Sequence, residues 1–218
     1  MRQTEDTTEA KLDTVARDLA GKYSGTFSEQ SIRLLVQDSY ERLSESATVT
    51  MYLPVLTARF ARTRLQALAR ADGHNLKETP EILFLCVHNA GRSQMAAAWM
   101  DHLSGGKVTV RSAGSAPTGD VNPTAIAAMA EVGIELTEAY PKPMTDDVVR
   151  ASDVIVTMGC GDACPVYPGK RYLDWDIPDP AGRPMSEVRA IRDNIRGRVE
   201  TLLTELAMPT TQSRNMEE

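Results

Sequence analysis

From residue 80 to residue 206 the chain alternates short apolar runs with stretches of helical periodicity, and this alternation constrains its fold more than any other feature. Strands are predicted at 82–86 (ILFLC), 107–112 (KVTVRS), 153–158 (DVIVTM) and 170–174. Helices are predicted at about 93–104, 123–132, 144–151 and 185–206. The last helix is the plainest: Val188, Ile191, Ile195, Val199, Leu202 and Leu206 repeat at spacings of three and four. Asn122-Pro123 supplies an N-cap and a preset first helical residue, and Gly133 a stop. Strand and helix in alternation, with short connections, predict an α/β fold: a four-stranded parallel sheet with helices on both faces. Ligand sites in such sheets lie at the carboxyl ends of the strands. Cys86 stands at one of those ends.

The first 77 residues read as helix only. One helix covers roughly 6–21. A second starts at TFSEQS, where Thr26 and Glu29 have capping-box spacing, and it carries Ile32, Leu35, Val36, Tyr40 and Leu43 on one face. A third follows Pro54 and ends near Gly73 and Asn75. The expected organisation is an N-terminal three-helix domain over 1–77, a second domain over 80–207 and a disordered polar tail at 208–218. Arg59, Arg62, Arg64 and Arg70 give the third helix a basic side. Ten acidic and ten basic side chains balance across residues 1–75, so the formal charge of −6 belongs to the remainder. The arginines therefore read as a solvated face, and no nucleic-acid partner is expected. Short helices with apolar seams bundle and often pair with their own copy, which predicts a homodimer through these helices. The N-terminus lacks the apolar core of a signal peptide, and no segment is long and apolar enough to span a bilayer. A cytoplasmic protein with no membrane partner is expected. Its three cysteines are too few for a disulfide framework, and in a reducing compartment they point to catalysis, redox chemistry or metal binding.

Between Cys86 and Arg92 lie Val87, His88, Asn89, Ala90 and Gly91, and Ser93 follows. A loop this short, joining a strand to a helix, can curl its backbone N–H groups around one tetrahedral oxyanion at the positive end of the helix dipole. Asn89 and Gly91 are residue types that tolerate the left-handed backbone such a curl needs. Arg92 can fold back as a planar fork onto two anion oxygens. The same field, with the Ser93 hydroxyl in reach, favours the thiolate form of Cys86. The site would bind an oxyanion and attack its central atom.

CVHNAGRSQMA resembles the phosphate-binding loop shared by the low-molecular-weight protein tyrosine phosphatases and the arsenate reductases built on that fold. The resemblance covers about residues 80 to 207 and implies an Asp-Pro late in the chain, supplied here by Asp179-Pro180 in DWDIPDPAG. The helical region looks like the N-terminal bundle of some actinobacterial members. By resemblance, Asp179 is the general acid, Cys86 the nucleophile and Arg92 the anion clamp. Some members bind potassium through the loop Asn and a Glu shortly after Gln-Met-Ala; Ala97 stands in that Glu's place and leaves the site without one of its ligands.

Three features favour the reductase branch. Ala181 and Gly182 follow the Asp-Pro where phosphatases carry an aromatic residue, Gln94 replaces the Pro usual after their loop serine, and TMGCGDACP adds Cys160 and Cys164. The resemblance implies a relay in which Cys86 attacks arsenate, Cys160 attacks the Cys86 sulfur, and Cys164 carries the disulfide to an external dithiol such as thioredoxin. No tightly bound cofactor and no metal are expected. The open alternatives are a protein tyrosine phosphatase, a non-catalytic arsenite or redox sensor, a zinc site from Cys86, His88, Cys160 and Cys164, and a mycothiol system in place of thioredoxin.

Overall fold

A computed structural model of the protein describes residues 2–47, 49–74, 79–159 and 166–207. Four parallel strands, β1 (Glu81–Cys86), β2 (Thr109–Gly114), β3 (Val154–Met158) and β4 (Arg171–Asp174), form one sheet in the order β2-β1-β3-β4. Every residue of β1 is buried. A strand covered on both faces has no use for polar alternation, which explains the unbroken ILFLC run. Its side chains still alternate: Ile82, Phe84 and Cys86 enter one core, Leu83 and Leu85 another.

The first core packs under α4 (Arg92–Ser104), α5 (Pro123–Ala130) and α7 (Met185–Ala207), with Met95, Trp99, Ile191, Ile195 and Val199 filling it. On the opposite face lie α6 (Asp146–Ala151) and, through Ala67, the long helix α3 (Leu53–Ala71). The four-stranded sheet with helices on both faces is thus as expected, with α3 of the N-terminal region supplying part of one layer. Several boundaries differ by one or two residues, and two of them have a plain cause. β2 begins at Thr109 rather than Lys107, because Gly105 and Gly106 both turn with positive φ and the Lys107 N–H returns to the Ser104 carbonyl. Helix α6 begins at Asp146 rather than 144, since Pro143 bridges to Gly114 and Met144 donates to its carbonyl.

Helices α1 (Arg2–Lys22), α2 (Glu29–Ser44) and α3 share a core of Leu12, Ala16, Leu19, Ile32, Val36, Ala61 and Leu65. The capping box expected at Thr26 and Glu29 is displaced. The Tyr23 carbonyl holds the N–H groups of Thr26 and Phe27 in a turn, and Ser28 becomes the N-cap, accepting from the Ser31 N–H at 3.0 Å. The polar tail expected at 208–218 lies outside the described residues, and no helix among the described residues is long and apolar enough to cross a membrane.

The arginines of α3 require a correction. Arg64 is buried, donating from Nε to Asp147 at 2.9 Å and from Nη1 to Asp38 at 2.5 Å. Arg70 reaches Asp153 at 2.5 Å and the Thr79 carbonyl at 2.8 Å, and Arg59 pairs with Glu138. Three of the four arginines read as a solvated face therefore meet carboxylates of the sheet-bearing region. A buried fork on β2 completes the seam: Arg111 binds Glu81 through Nε at 2.9 Å and Nη2 at 3.3 Å, and its Nη1 reaches the Thr63 carbonyl of α3 at 3.0 Å.

Removing one partner of a buried pair strands the other charge. Glu81→Ala should therefore lower stability to urea by about 3–5 kcal/mol. Glu81→Leu combined with Arg111→Met should cost less than that single change.

Candidate active site

The loop between β1 and α4 is held from outside by its carbonyls. Those of Cys86, Val87 and Ala90 accept from Ser115 N (3.1 Å), Ala116 N (2.8 Å) and Asn122 N (2.8 Å), and that of Asn89 accepts from Gln94 Nε2 at 2.9 Å. A planar trans amide sets each following N–H opposite to its carbonyl, so outward carbonyls turn the loop's N–H groups inward. They converge beside the buried Cys86 sulfur. Asn89 N donates to that sulfur at 3.2 Å, and Ser93 Oγ lies 3.0 Å from it.

The backbone demands fall on different residues than expected. Asn89 adopts the left-handed conformation at φ 50°, as anticipated. Gly91 does not: its φ is −135°. It is glycine because a Cβ there would lie 2.6 Å from Pro180 Cγ, so the Asp179-Pro180 segment rests directly on the loop. Gly114, at the end of β2, is needed for a similar reason: its Cβ would meet the Val87 carbonyl at 2.7 Å. Gly114 was not singled out from the sequence, although a glycine ending the strand beside the nucleophile's strand is a signal for close approach.

Arg92 is buried, and its Nη2 donates to Asp179 Oδ2 at 2.6 Å while Nη1 reaches the Ile177 carbonyl at 3.4 Å. Asp179 Oδ1 accepts from Ala181 N at 3.0 Å, a local turn that aims the carboxylate. Buried Trp175 and Ile177 root this segment in the core, the Trp175 ring lying 5.7 Å from that of Phe84. His88 is exposed and its Nδ1 lies 3.1 Å from the Ala116 carbonyl, on the outer side of the loop. Thus Cys86, Asn89, Arg92, Ser93 and Asp179 come together as expected. Cys160 and Cys164 lie outside the described residues. β3 ends at Met158, the register partner of Cys86, and the next residue, Gly159, sits against Arg92.

Sequence reasoning missed the layer behind the loop. Gln94 Nε2 donates to Asn89 O, to Asn89 Oδ1 at 3.1 Å and to the Tyr140 carbonyl at 2.9 Å. The Lys142 ammonium donates to Ser112 Oγ at 3.1 Å and to the Tyr140 carbonyl at 3.3 Å, and lies 4.8 Å from the centre of the Tyr140 ring. Lys142 is half-buried and lines a pocket of about 370 Å³ together with Gln94, Arg111 and Ser112. Burial lowers its pKa to about 8. A lysine between two prolines gives no sequence signal of such a place.

Residues 81–212 match the family described as low molecular weight phosphotyrosine protein phosphatase, and residues 12–69 match a protein-tyrosine-phosphatase-like N-terminal domain. Arsenate reductase 1 of Staphylococcus epidermidis is 42% identical over 124 residues, covering 55% of this chain and 92% of that protein. Among solved structures, a thioredoxin-dependent arsenate reductase of Corynebacterium glutamicum is 44% identical with a TM-score of 0.82, covering 89% of this chain and 96% of that one. An arsenate reductase in a phosphate-binding state is 32% identical with a TM-score of 0.51, covering 59% of this chain and 99% of that one.

Lys142 yields a prediction with a definite sign. Its proton is held up to about pH 8 in the folded chain and to the ordinary 10.5 when exposed. Between those values the unfolded state binds more protons, so stability rises with pH through this window, and below it the cost of the buried ammonium is complete. Lys142→Met removes that cost. Its urea midpoint should exceed the wild type's below pH 8, and the gap should narrow toward pH 10.5.

Proposed function

The chain belongs to the low molecular weight phosphotyrosine protein phosphatase family, and we propose that within it the protein is an arsenate reductase that draws electrons from an external dithiol, thioredoxin, in the cytoplasm. The observation that carries this reading is a pairing of two features. An oxyanion cradle surrounds a buried thiol, and the chain leaves the neighbouring strand beside that thiol toward two further cysteines. Hydrolysis of a phosphate ester has no use for Cys160 and Cys164. Reduction of arsenate needs them.

Arsenate, tetrahedral like phosphate, is bound by the inward N–H groups of residues 87 to 92 and by the Arg92 fork. Its arrival displaces the Asp179 carboxylate from Arg92, which couples anion binding to release of the acid. Once off Arg92, the Asp179 carboxylate takes up a proton from solvent; the Cys86 thiolate forms a bond to arsenic(V), and one arsenate hydroxyl, protonated by Asp179, leaves as water. Ser93 and Asn89 N donate to the sulfur in its anionic form. The Cys160 thiolate then attacks the Cys86 sulfur. The S–As bond breaks, its electron pair passes to arsenic, and arsenite departs as a Cys86–Cys160 disulfide forms. Cys164 attacks the Cys160 sulfur, freeing the Cys86 thiolate and leaving a Cys160–Cys164 disulfide. The external dithiol reduces that disulfide and is itself oxidised. A dithiol rather than a mycothiol system is favoured because the chain carries its own second and third thiols.

We also assign residues 1–77 to a helical domain that pairs two copies of the chain, ahead of a catalytic domain over 80–207. Leu34, Met51, Tyr52 and Val55 are exposed on it and offer apolar surface for that pairing.

The relay separates this reading from its rivals. Cys164→Ser should release about one arsenite per site and then stall as the Cys86–Cys160 disulfide, whereas Cys160→Ser should release almost none. Rapid-quench arsenite counting with disulfide mapping checks both, and sustained thioredoxin-driven turnover by Cys164→Ser would break the order. Hydrolysis of a small aryl phosphate should survive both changes. Asp179→Asn removes the carboxylate that competes for Arg92, so it should tighten phosphate binding several-fold while kcat falls about 10²-fold; calorimetry and steady-state kinetics read the two effects.

A further inference from the structure

We propose that Lys142 is a positioning residue that sets the direction of a chain of hydrogen bonds ending on the Cys86 sulfur. The inference rests on the reading of Cys86 as the nucleophile.

The argument is one of donors and acceptors. An ammonium can only donate. Lys142 Nζ donates to Ser112 Oγ at 3.1 Å, so the Ser112 hydroxyl proton must point elsewhere, and it points to Gln94 Oε1 at 3.4 Å. With its oxygen engaged there, Gln94 presents Nε2 to the other side, where Asn89 Oδ1 accepts at 3.1 Å. The backbone N–H of Lys142 itself donates to the same Asn89 oxygen at 3.1 Å. Two donors on Oδ1 prevent the Asn89 amide from flipping, and its Nδ2 donates to Ser93 Oγ at 2.8 Å. Ser93, its lone pair occupied, turns its own proton to the sulfur 3.0 Å away. Each link is oriented by the one before it. The chain begins at an obligate donor and ends at an atom that can satisfy it fully only as a thiolate. A neutral thiol would aim its own proton at Ser93 and oppose the whole sequence.

Nothing in the packing explains an ammonium here. Among the described residues no carboxylate forms an ion pair with it. Arg111 on β2, in the same cavity, is committed to Glu81, and Glu138 to Arg59. Asp101 of α4 and Glu135 line the cavity without pairing to Lys142. Burial of the charge opposes folding, and a methionine of similar length would fill the space at no such cost. The Tyr140 ring beneath the ammonium keeps its hydroxyl proton because burial raises its pKa.

The test reads the sulfur directly and needs no arsenate. Full-length protein carrying Cys160→Ser and Cys164→Ser leaves Cys86 as the one thiol. Its alkylation by iodoacetamide is followed against pH, with and without Lys142→Met. The other charged or titratable groups about the loop, Arg92, Asp179 and His88, are the same in both proteins. The half-maximal pH should rise by about half to one unit in Lys142→Met, which is roughly 3- to 10-fold slower alkylation on the acid limb. Ser112→Ala, which cuts the chain at its second link and leaves the ammonium in place, should shift the profile the same way. An unchanged profile in either variant, folded by circular dichroism, overturns the proposal. Failure of the wild type to reduce arsenate would instead remove the proposed function and leave this measurement standing.

Discussion

Asn89 holds a left-handed backbone conformation that costs an ordinary residue about 1–2 kcal/mol, and the geometry of the site follows from keeping it there. Its N–H points at the Cys86 sulfur, its carbonyl and Oδ1 are held by Gln94, Oδ1 also by Lys142, and its Nδ2 by Ser93. Every polar atom of the residue is bonded. A strained conformation persists only where its surroundings over-determine it, and five such contacts do so here. Relaxing Asn89 would swing its N–H off Cys86 and release the Ser93 hydroxyl in one movement.

The catalytic layer and the supporting layer carry opposite electrostatic logic. In front of the loop, Arg92 is paired with the half-exposed carboxylate of Asp179. Behind it, the Lys142 ammonium has neutral partners only among the described residues, Ser112 Oγ and the Tyr140 carbonyl. A positive charge at the back and an ion pair at the front both favour negative charge at the sulfur.

The parts of this molecule that were legible in the sequence are those encoded locally. The β1 run, the loop, the α7 periodicity and the Asp179-Pro180 signature each lie within a few consecutive residues. What escaped was set by distant partners. Arg64 reads as a surface arginine until Asp147, far along the chain, is seen to reach it. Lys142 and Ser112 announce nothing alone, and Gln94 served only to mark a branch of the family. Gly91 was noticed for a left-handed backbone that it does not adopt: its φ is negative, and a Cβ there would strike a proline nearly ninety residues later. Thr26 lost its expected capping role to Ser28 because the Tyr23 carbonyl had already claimed its N–H.

That proline contact ties the two signatures of the catalytic domain to each other mechanically. With 2.6 Å between Pro180 Cγ and the place where a side chain at 91 would begin, the missing methyl of Gly91 acts as a gauge for the height of the Asp179-Pro180 segment above the loop. Neither motif can drift alone. A graft of the Asp-Pro segment from a relative would carry over its chemistry only together with the loop that it was cut to fit. A library that varied residue 91 freely would be selecting, unintentionally, for proteins whose Asp179 stands too far from the loop.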